Sequence, residues 1–272
     1  MPNVTNGSVE IHVEDTGGDG RPVVLIHGWP LSGASWSNQV PALTEAGYRV
    51  VTYDRRGFGQ SGKPADGYDY DTFADDLEAV LEALDLRDAS LVGFSMGGGE
   101  VARYLGRHGQ DRVHSAVFAA AIPPFLLKSD DHPDGGLDLA TVESMQADLR
   151  KDPPAFFDGF MTGFFSAGDD LKVTEAQRQE ALGLAAQADP EAAAQCIAAW
   201  VSDFRDDLAK VTVPTLVIHG DSDGTVPLEV SGQRTHEAVA GSELHVVADG
   251  PHGVNVSHQD EFNRVLLEFL AK

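Results

Sequence analysis

The chain has 272 residues, 42% of them hydrophobic, enough to bury the core of one large α/β domain or of a domain with an insertion. Its formal net charge of -24 excludes nucleic-acid backbones and anionic membrane surfaces as partners, since both would be repelled. The sequence has no apolar run of membrane-spanning length, no signal-peptide pattern and a single cysteine, so we expect a cytoplasmic protein without a disulfide.

The excess of acidic residues leaves two interpretations open. The simpler one is an ordinary acidic, soluble surface. The other is adaptation to high salt, in which dissolved ions screen the self-repulsion of the chain. Composition alone does not separate them.

The first half of the chain alternates predicted strands and helices. Apolar runs or alternation predict strands over 9–13, 22–26, 48–53 and 113–121, and helical spacing predicts helices over 36–46 and 70–84. Such alternation is typical of a parallel sheet with crossover helices.

The alternation of predicted strands and helices ends at Ile122. Residues 122–210 predict helices separated by Asp- and Pro-rich loops, with no convincing strand, and they hold many of the aromatic residues. Strands are predicted again over 214–219 and 243–247, and helices over 229–239 and 259–270. We therefore predict an α/β fold with a mostly parallel central sheet flanked by helices. Its core is 1–121 and 211–272, and 122–210 form a helical cap that helps to line a pocket.

One stretch in the core predicts a nucleophile. Gly93-Phe94-Ser95-Met96-Gly97 follows an apolar run and precedes an amphipathic segment, so Ser95 is expected at a sharp strand-to-helix turn. Such a turn strains the backbone at its apex and leaves no room for side chains at the flanking glycines.

A serine hydroxyl needs a base, and that base needs an acid to orient it. Two later loops follow predicted strands in the required order, and they contain Asp223 and His252. Asp223 is preferred to Asp221, which directly follows its strand and is expected to bind local backbone. His252 is preferred to His258, for which helix capping is the simpler role.

The other histidines near these motifs have simpler roles. His219 at a strand end and His245 within a strand are expected to be structural, and His27 is expected to brace the loop beside the nucleophile.

The same fold predicts two backbone N–H donors for an oxyanion. One belongs to Met96, the residue after the nucleophile. The other belongs to the loop His27-Gly28-Trp29-Pro30; Pro30 has no N–H, so Trp29 is the expected donor.

Two further motifs are rejected. Residues 57–63 resemble a phosphate-binding loop, but Pro64 stands where a Mg²⁺-binding Ser or Thr is required and no helix opens there. Residues 221–226 begin like a calcium loop, but Val226 stands where glycine is required. The histidines show no metal-ligand spacing, so neither a metal nor a cofactor is predicted.

Several blocks resemble the α/β-hydrolases of the cofactor-free haloperoxidase, perhydrolase and aryl-esterase group. The resemblance covers most of the chain and is weakest in the cap, over about 135–199. The blocks lie at 27–31, 53–59, 70–75, 92–99, 204–206, 219–221 and 251–253.

This resemblance implies Ser95, Asp223 and His252 as a catalytic triad and Trp29 and Met96 as oxyanion donors, in agreement with the order of the motifs. It also implies an acyl pocket with contributions from Ile122, Phe125, Thr225 and Leu228. Peroxide-using members resemble this sequence in placing a proline at the position of Pro30. That proline either directs a carbonyl toward the acyl-enzyme or only stiffens the loop.

The expected function is hydrolysis of small esters, with hydrogen peroxide as an alternative to water as acyl acceptor. An ester or acid is therefore the expected partner, and a homo-oligomer is left open. Lactonase or cyclic-amide hydrolase activity at the same site is an alternative, as is a small-molecule receptor that keeps the triad. Dehalogenases and epoxide hydrolases on this fold carry aspartate where Ser95 stands.

Overall fold

The computed structural model describes residues 4–130 and 132–272. The strands are β1 Val4–Asn6, β2 Val9–Ile11, β3 Val13–Asp15, β4 Pro22–Ile26, β5 Arg49–Tyr53, β6 Ala89–Phe94, β7 Val113–Ala119, β8 Ser166–Ala167, β9 Asp170–Leu171, β10 Thr215–Gly220 and β11 Glu243–Val247. The α-helices are α1 Gln39–Glu45, α2 Tyr70–Ala83, α3 Met96–Arg107, α4 Leu139–Lys151, α5 Pro153–Phe164, α6 Glu175–Ala185, α7 Pro190–Ala199, α8 Arg205–Leu208, α9 Gly232–Ala238, α10 Val254–Ser257 and α11 Gln259–Leu270.

A seven-stranded sheet in the order β11-β10-β7-β6-β4-β5-β3 forms the centre of the molecule. Its strands pair in parallel except for β3, which runs antiparallel to β5 at one edge. The predicted α/β-hydrolase architecture is therefore confirmed. Because the strands are parallel, their carboxyl ends meet at one edge of the sheet, where ligand sites form in such folds.

Apolar side chains project from both faces of the sheet, as continuous apolar strands predict. In β4, Val24 and Ile26 join a core with residues of α2 and α3, while Val23 and Leu25 join a second core with residues of α1 and α11. The sheet is thus held between two helical layers, which fixes the loops at its carboxyl edge.

In the segments that flank the central sheet, one predicted strand and one predicted helix are wrong. The strand predicted over 9–13 is split at His12, whose N–H donates to Ser61 Oγ and whose carbonyl accepts from Asp54, so the chain passes from the β1–β2 hairpin to the central sheet. The helix predicted over 229–239 is instead a 3₁₀ turn followed by α9, with a break at Ser231. Ser231 Oγ donates to the carbonyls of Ala121 and Pro123, which holds the start of the cap segment.

Helices α4 to α8 lie between β7 and β10 in the chain, within the span predicted for a cap. Local signals explain where they begin: Asp138, Asp152 and Asp189 each accept a backbone N–H at a helix N-terminus. The prediction of no strand in this span is wrong, because β8 and β9 form a short antiparallel ribbon. Across the described residues, no helix is both long and apolar enough to cross a membrane.

Candidate active site

Ser95 lies at the turn between β6 and α3, with φ 52° and ψ −118°. This conformation is rare for a residue with a side chain. The turn brings its neighbours very close together: a Cβ on Gly97 would lie 2.5 Å from the carbonyl oxygen of Ile26. The backbone N–H of Ser95 donates to Ala119 at 2.8 Å, which ties the turn to the next strand. The turn therefore has the geometry expected for a nucleophile elbow.

Three side chains from separate loops form one hydrogen-bonded line. His252 Nε2 lies 2.8 Å from Ser95 Oγ, and His252 Nδ1 lies 2.7 Å from Asp223 Oδ2. All three residues are buried. If His252 Nδ1 carries the proton that Asp223 accepts, Nε2 is free to take the proton of Ser95, which is the arrangement of a serine–histidine–aspartate triad.

Both carboxylate oxygens of Asp223 accept hydrogen bonds. Oδ1 accepts the backbone N–H groups of Thr225 and Val226 at 2.9 and 2.7 Å. Oδ2 accepts from His252 and lies 3.3 Å from His219 Nε2. Burial raises the pKa of Asp223, but the charge of His252 and the hydrogen bonds from His219 and His252 outweigh it and leave that pKa below its ordinary value. Asp223 is therefore ionised and acceptor-only.

The two expected oxyanion donors flank Ser95. Met96 begins α3, and Trp29 lies in the loop after β4. Within the part of the chain that the structure describes, neither backbone N–H donates a hydrogen bond to another residue. Both are thus available to a negatively charged oxygen formed beside Ser95.

A buried polar network supports the loop that carries Trp29. His27 Nδ1 lies 2.9 Å from the carbonyl of Gly28, and the N–H of Arg55 donates to His27 Nε2 at 2.9 Å. Burial and the charge of Arg55 hold the pKa of His27 well below its usual value, so His27 is neutral. Arg55 also donates to the carbonyl of His27 and to Glu100, which accepts from Tyr53 as well. The predicted bracing role of His27 has this physical basis.

A cavity of about 590 Å³ opens above Ser95, between the carboxyl edge of the sheet and helices α4 and α5. Trp29 forms its inner wall, with its ring 4.8 Å from that of Phe160 and 4.9 Å from that of Trp200. The indole N–H of Trp29 donates to Ala193 of α7 at 3.1 Å. The residue expected to donate to the oxyanion is therefore also fixed by α7.

The structure brings together only some of the residues expected to form an acyl pocket. Ile122 and Thr225 line the cavity with Ser95. Phe125 lies elsewhere, because its ring packs against His132 and the Arg205 guanidinium, and Leu228 begins the 3₁₀ turn outside the cavity lining. Pro30 is buried and does not line the cavity.

The acidic and histidine residues set aside in the sequence have other partners. Asp221 accepts the backbone N–H of Asp249 at 2.7 Å and joins the aspartate and histidine loops. His245 pairs with Glu261. His258 stands at the N-terminus of α11 without capping it, and its ring contacts Ser257 Oγ.

Two features of the site were not predicted from the sequence: the contact of His219 with Asp223 and the aromatic rings around His252. His219 was expected to be only structural, yet it lies beside the Asp223 carboxylate. The rings of Phe94 and Phe164 lie 5.3 and 4.9 Å from that of His252, and the N–H of Gly253 donates to the carbonyl of Phe164 at 2.9 Å. The position of His219 directly before Gly220-Asp221 is a usable signal, whereas nothing local marks Phe164 as a neighbour of the base.

The model of the alpha/beta hydrolase fold family matches residues 21–259. The chain belongs to this family. It is 47% identical to a putative non-heme chloroperoxidase of Synechocystis sp., over 99% of this chain and 100% of the relative. It is 36% identical to a bifunctional esterase/perhydrolase of Acinetobacter calcoaceticus, over 98% of each chain. The crystal structure of a bromoperoxidase from Bacillus anthracis has 54% identity and a TM-score of 0.96, covering 99% of this chain and 98% of that one.

These findings confirm the resemblance to haloperoxidases and perhydrolases and identify the chain as an enzyme of the α/β-hydrolase family. The similarity extends along nearly the whole chain, so it includes residues 122–210 as well as the sheet and its flanking helices.

Proposed function

We propose that this enzyme is a carboxylesterase that works through a Ser95–His252–Asp223 triad and an acyl-enzyme, with hydrogen peroxide as an alternative acyl acceptor. The observation that carries the proposal is the continuous line of contacts, 2.8 Å from Ser95 Oγ to His252 Nε2 and 2.7 Å from His252 Nδ1 to Asp223 Oδ2. A hydroxyl so connected to a base and an ionised acid can act as a nucleophile.

The first half of the reaction forms the acyl-enzyme. Ser95 Oγ attacks the ester carbonyl while its proton passes to His252 Nε2, and the carbonyl oxygen becomes an oxyanion beside the N–H groups of Trp29 and Met96. His252 then gives the proton to the alcohol oxygen as the carbon–oxygen bond breaks. Asp223 keeps the imidazole oriented and stabilises its positive charge.

The second half releases the acyl group. Water or hydrogen peroxide attacks the acyl carbonyl and gives a proton to His252, which returns it to Ser95 Oγ as the serine ester bond breaks. Water yields a carboxylic acid and peroxide yields a peracid. A peracid can oxidise a halide ion in solution, itself becoming a carboxylic acid, so the protein needs no redox group for that reaction.

The experiment that tests this function is replacement of the nucleophile. We expect Ser95→Ala to lower kcat/KM for p-nitrophenyl acetate by at least about 10³-fold, because covalent catalysis is lost and only binding and the oxyanion site remain. The wild-type enzyme should be labelled at Ser95 by a fluorophosphonate and the variant should not. Turnover retained by a folded Ser95→Ala variant would refute the assignment, and labelling without turnover would favour a receptor.

We propose that Pro30 influences whether water or hydrogen peroxide accepts the acyl group. We expect Pro30→Leu to lower the ratio of peracid to acid formed from one acyl-enzyme by roughly fivefold, the value of one hydrogen bond of about 1 kcal/mol between a loop carbonyl and peroxide. Both products are measured in one reaction, so a change in acylation cancels from the ratio. An unchanged ratio would leave Pro30 as a rigid loop residue only.

A further inference from the structure

The cavity above Ser95 is much larger than a small ester requires. Its volume of about 590 Å³ falls within the range of pockets that enclose whole drug-sized ligands, of the order of 300–1,000 Å³. An acetyl group bound to Ser95 would contact only the part nearest the nucleophile. The remaining wall, built from aromatic residues such as Phe156, Phe160 and Trp200, would stay without a partner.

The chemistry of the wall indicates what fills it. Among the described residues that line the cavity, none carries a charge. A carboxylate or phosphate on the substrate would therefore lose its hydration without gaining an ion pair. The net charge of -24 also opposes the approach of anions to the molecule. Both features favour a neutral, apolar substrate.

Two residues without side chains line the cavity along α5. Ala155, Gly159 and Gly163 recur every four residues along α5, which places them on one face of that helix, and all three line the cavity. A Cβ at Gly159 or at Gly163 would meet no heavy atom within 4 Å. Glycine weakens a helix relative to alanine, and packing gives no reason for it at either position. Space for a substrate in the cavity would explain both glycines.

We propose that the cavity binds neutral esters that carry a bulky apolar group in their acyl or alcohol part, and that Gly159 and Gly163 keep its mouth open for them. This rests on the proposed function, since the cavity is defined by its contact with the nucleophile. The proposal sets the size and charge of the substrate, whereas the triad sets only the reaction.

Two series of esters test the substrate class. In p-nitrophenyl esters from acetate to hexanoate, and in acetates of alcohols from ethanol to hexanol, the reacting groups stay constant while apolar length increases. We expect kcat/KM to rise by up to about fourfold per methylene in at least one series, and by at least about tenfold over the whole of that series. The p-nitrophenyl monoester of succinic acid should react at least about tenfold more slowly than the neutral pentanoate. Rates that stay level or fall along both series, or no penalty for the anion, would overturn the proposal.

Variants of the mouth test the glycines. We expect Gly159→Leu and Gly163→Leu each to lower the ratio of kcat/KM for the long ester over the acetate by at least about tenfold, because the added side chain occupies the entrance. The matched control is Gly183→Leu in α6, an exposed helical glycine that also has free space at its Cβ but does not line the cavity. A ratio that is unchanged in both mouth variants would overturn their role.

Failure here can be told apart from failure of the proposed function. Turnover of p-nitrophenyl acetate and labelling of Ser95 by a fluorophosphonate, without any preference for length, would remove only the substrate class. Absence of both turnover and labelling in the folded protein would remove the esterase assignment itself. Thermal melts of every variant establish that it is folded before its ratio is interpreted.

Discussion

Ser95 combines the proposed chemistry with an unfavourable backbone conformation. Its φ of 52° and ψ of −118° lie outside the common regions for residues with a Cβ, and such a residue costs about 1–3 kcal/mol. The surrounding turn imposes this geometry, because the N–H of Ser95 is bound to Ala119 and its carbonyl accepts from Gly98 and Ile122. The hydroxyl is thereby held toward His252 instead of in the interior of α3.

This strain predicts a gain in stability when the Cβ is removed. Relief of about 1–3 kcal/mol, less about 0.5–1 kcal/mol for the greater freedom of unfolded glycine, should make Ser95→Gly more stable than Ser95→Ala by up to about 2.5 kcal/mol. Urea unfolding of the two inactive variants measures the difference. Ser95→Ala is the matched control, since it also loses the hydroxyl but keeps the Cβ. A Ser95→Gly variant less stable than Ser95→Ala would show that the turn does not store strain.

At the scale of single residues, the sequence predicts those whose roles follow from order along the chain. Ser95, Asp223 and His252 follow predicted strands in the order of the fold, and the structure brings them into contact. The resemblance to the haloperoxidase and esterase group implies a pocket role for Phe125, yet its ring packs against His132 and Arg205. Side-chain direction in an irregular segment depends on the helices packed over it, and sequence spacing does not contain that information.

At the scale of elements, the loop that carries Trp29 rests on a buried ion pair. The guanidinium of Arg55 and the carboxylate of Glu100 approach to 2.8 Å with no exposed side-chain surface, and Arg55 also donates to the carbonyl of His27. Burial raises the pKa of Glu100 above its ordinary value, and the charge of Arg55 offsets only part of that rise. Glu100 belongs to α3, so the pair connects the helix that follows the nucleophile to the loop on its other side.

Loss of one partner should therefore affect both stability and catalysis. We expect Glu100→Gln to lower the free energy of unfolding by about 3–5 kcal/mol, because it leaves the buried charge of Arg55 without a counter-ion. We also expect kcat/KM to fall by at least about tenfold, since the loop that bears the Trp29 N–H loses its support. Urea unfolding and p-nitrophenyl acetate kinetics measure the two effects.

An exposed pair provides the control for that variant. Arg150 of α4 and Glu191 of α7 approach to 2.8 Å at the protein surface, with about half of each side chain exposed. Glu191→Gln should cost less than about 1 kcal/mol and leave kcat/KM unchanged. If both variants lost equal free energy of unfolding and equal kcat/KM, burial of the Arg55–Glu100 pair would not explain its contribution.

Some strands and helices could be predicted from the sequence and others could not. The strands and helices of the core follow from apolar periodicity, because each packs in one of two regular layers. The breaks at His12 and Ser231 do not, since each depends on hydrogen bonds to residues far away in the chain. The β8–β9 ribbon is also invisible to periodicity, because each of its strands has two residues.

At the scale of the whole molecule, the charge is strongly unbalanced. There are 43 acidic residues and 19 lysines and arginines, so most carboxylates have no cation to pair with. Several of the arginines are already committed to buried or half-buried pairs, as in Arg56–Asp76 and Arg49–Asp15. The surplus carboxylates repel one another and favour expansion of the chain.

Added salt should therefore stabilise the fold. The Debye length falls from about 30 Å at 0.01 M to about 3 Å at 1 M, which removes repulsion between surface carboxylates while buried pairs such as Arg55–Glu100 are screened far less. Each kcal/mol recovered should raise Tm by about 2–4 °C in a chain of this size. Thermal melts in sodium chloride between these concentrations measure the effect, and sodium perchlorate at equal ionic strength separates screening from the salting-out of apolar surface. Tm should rise in both salts at low concentration if repulsion is the cause. A Tm that is constant or falls with salt would contradict both net repulsion and adaptation to a saline environment, and would leave the acidic surface as a matter of solubility alone.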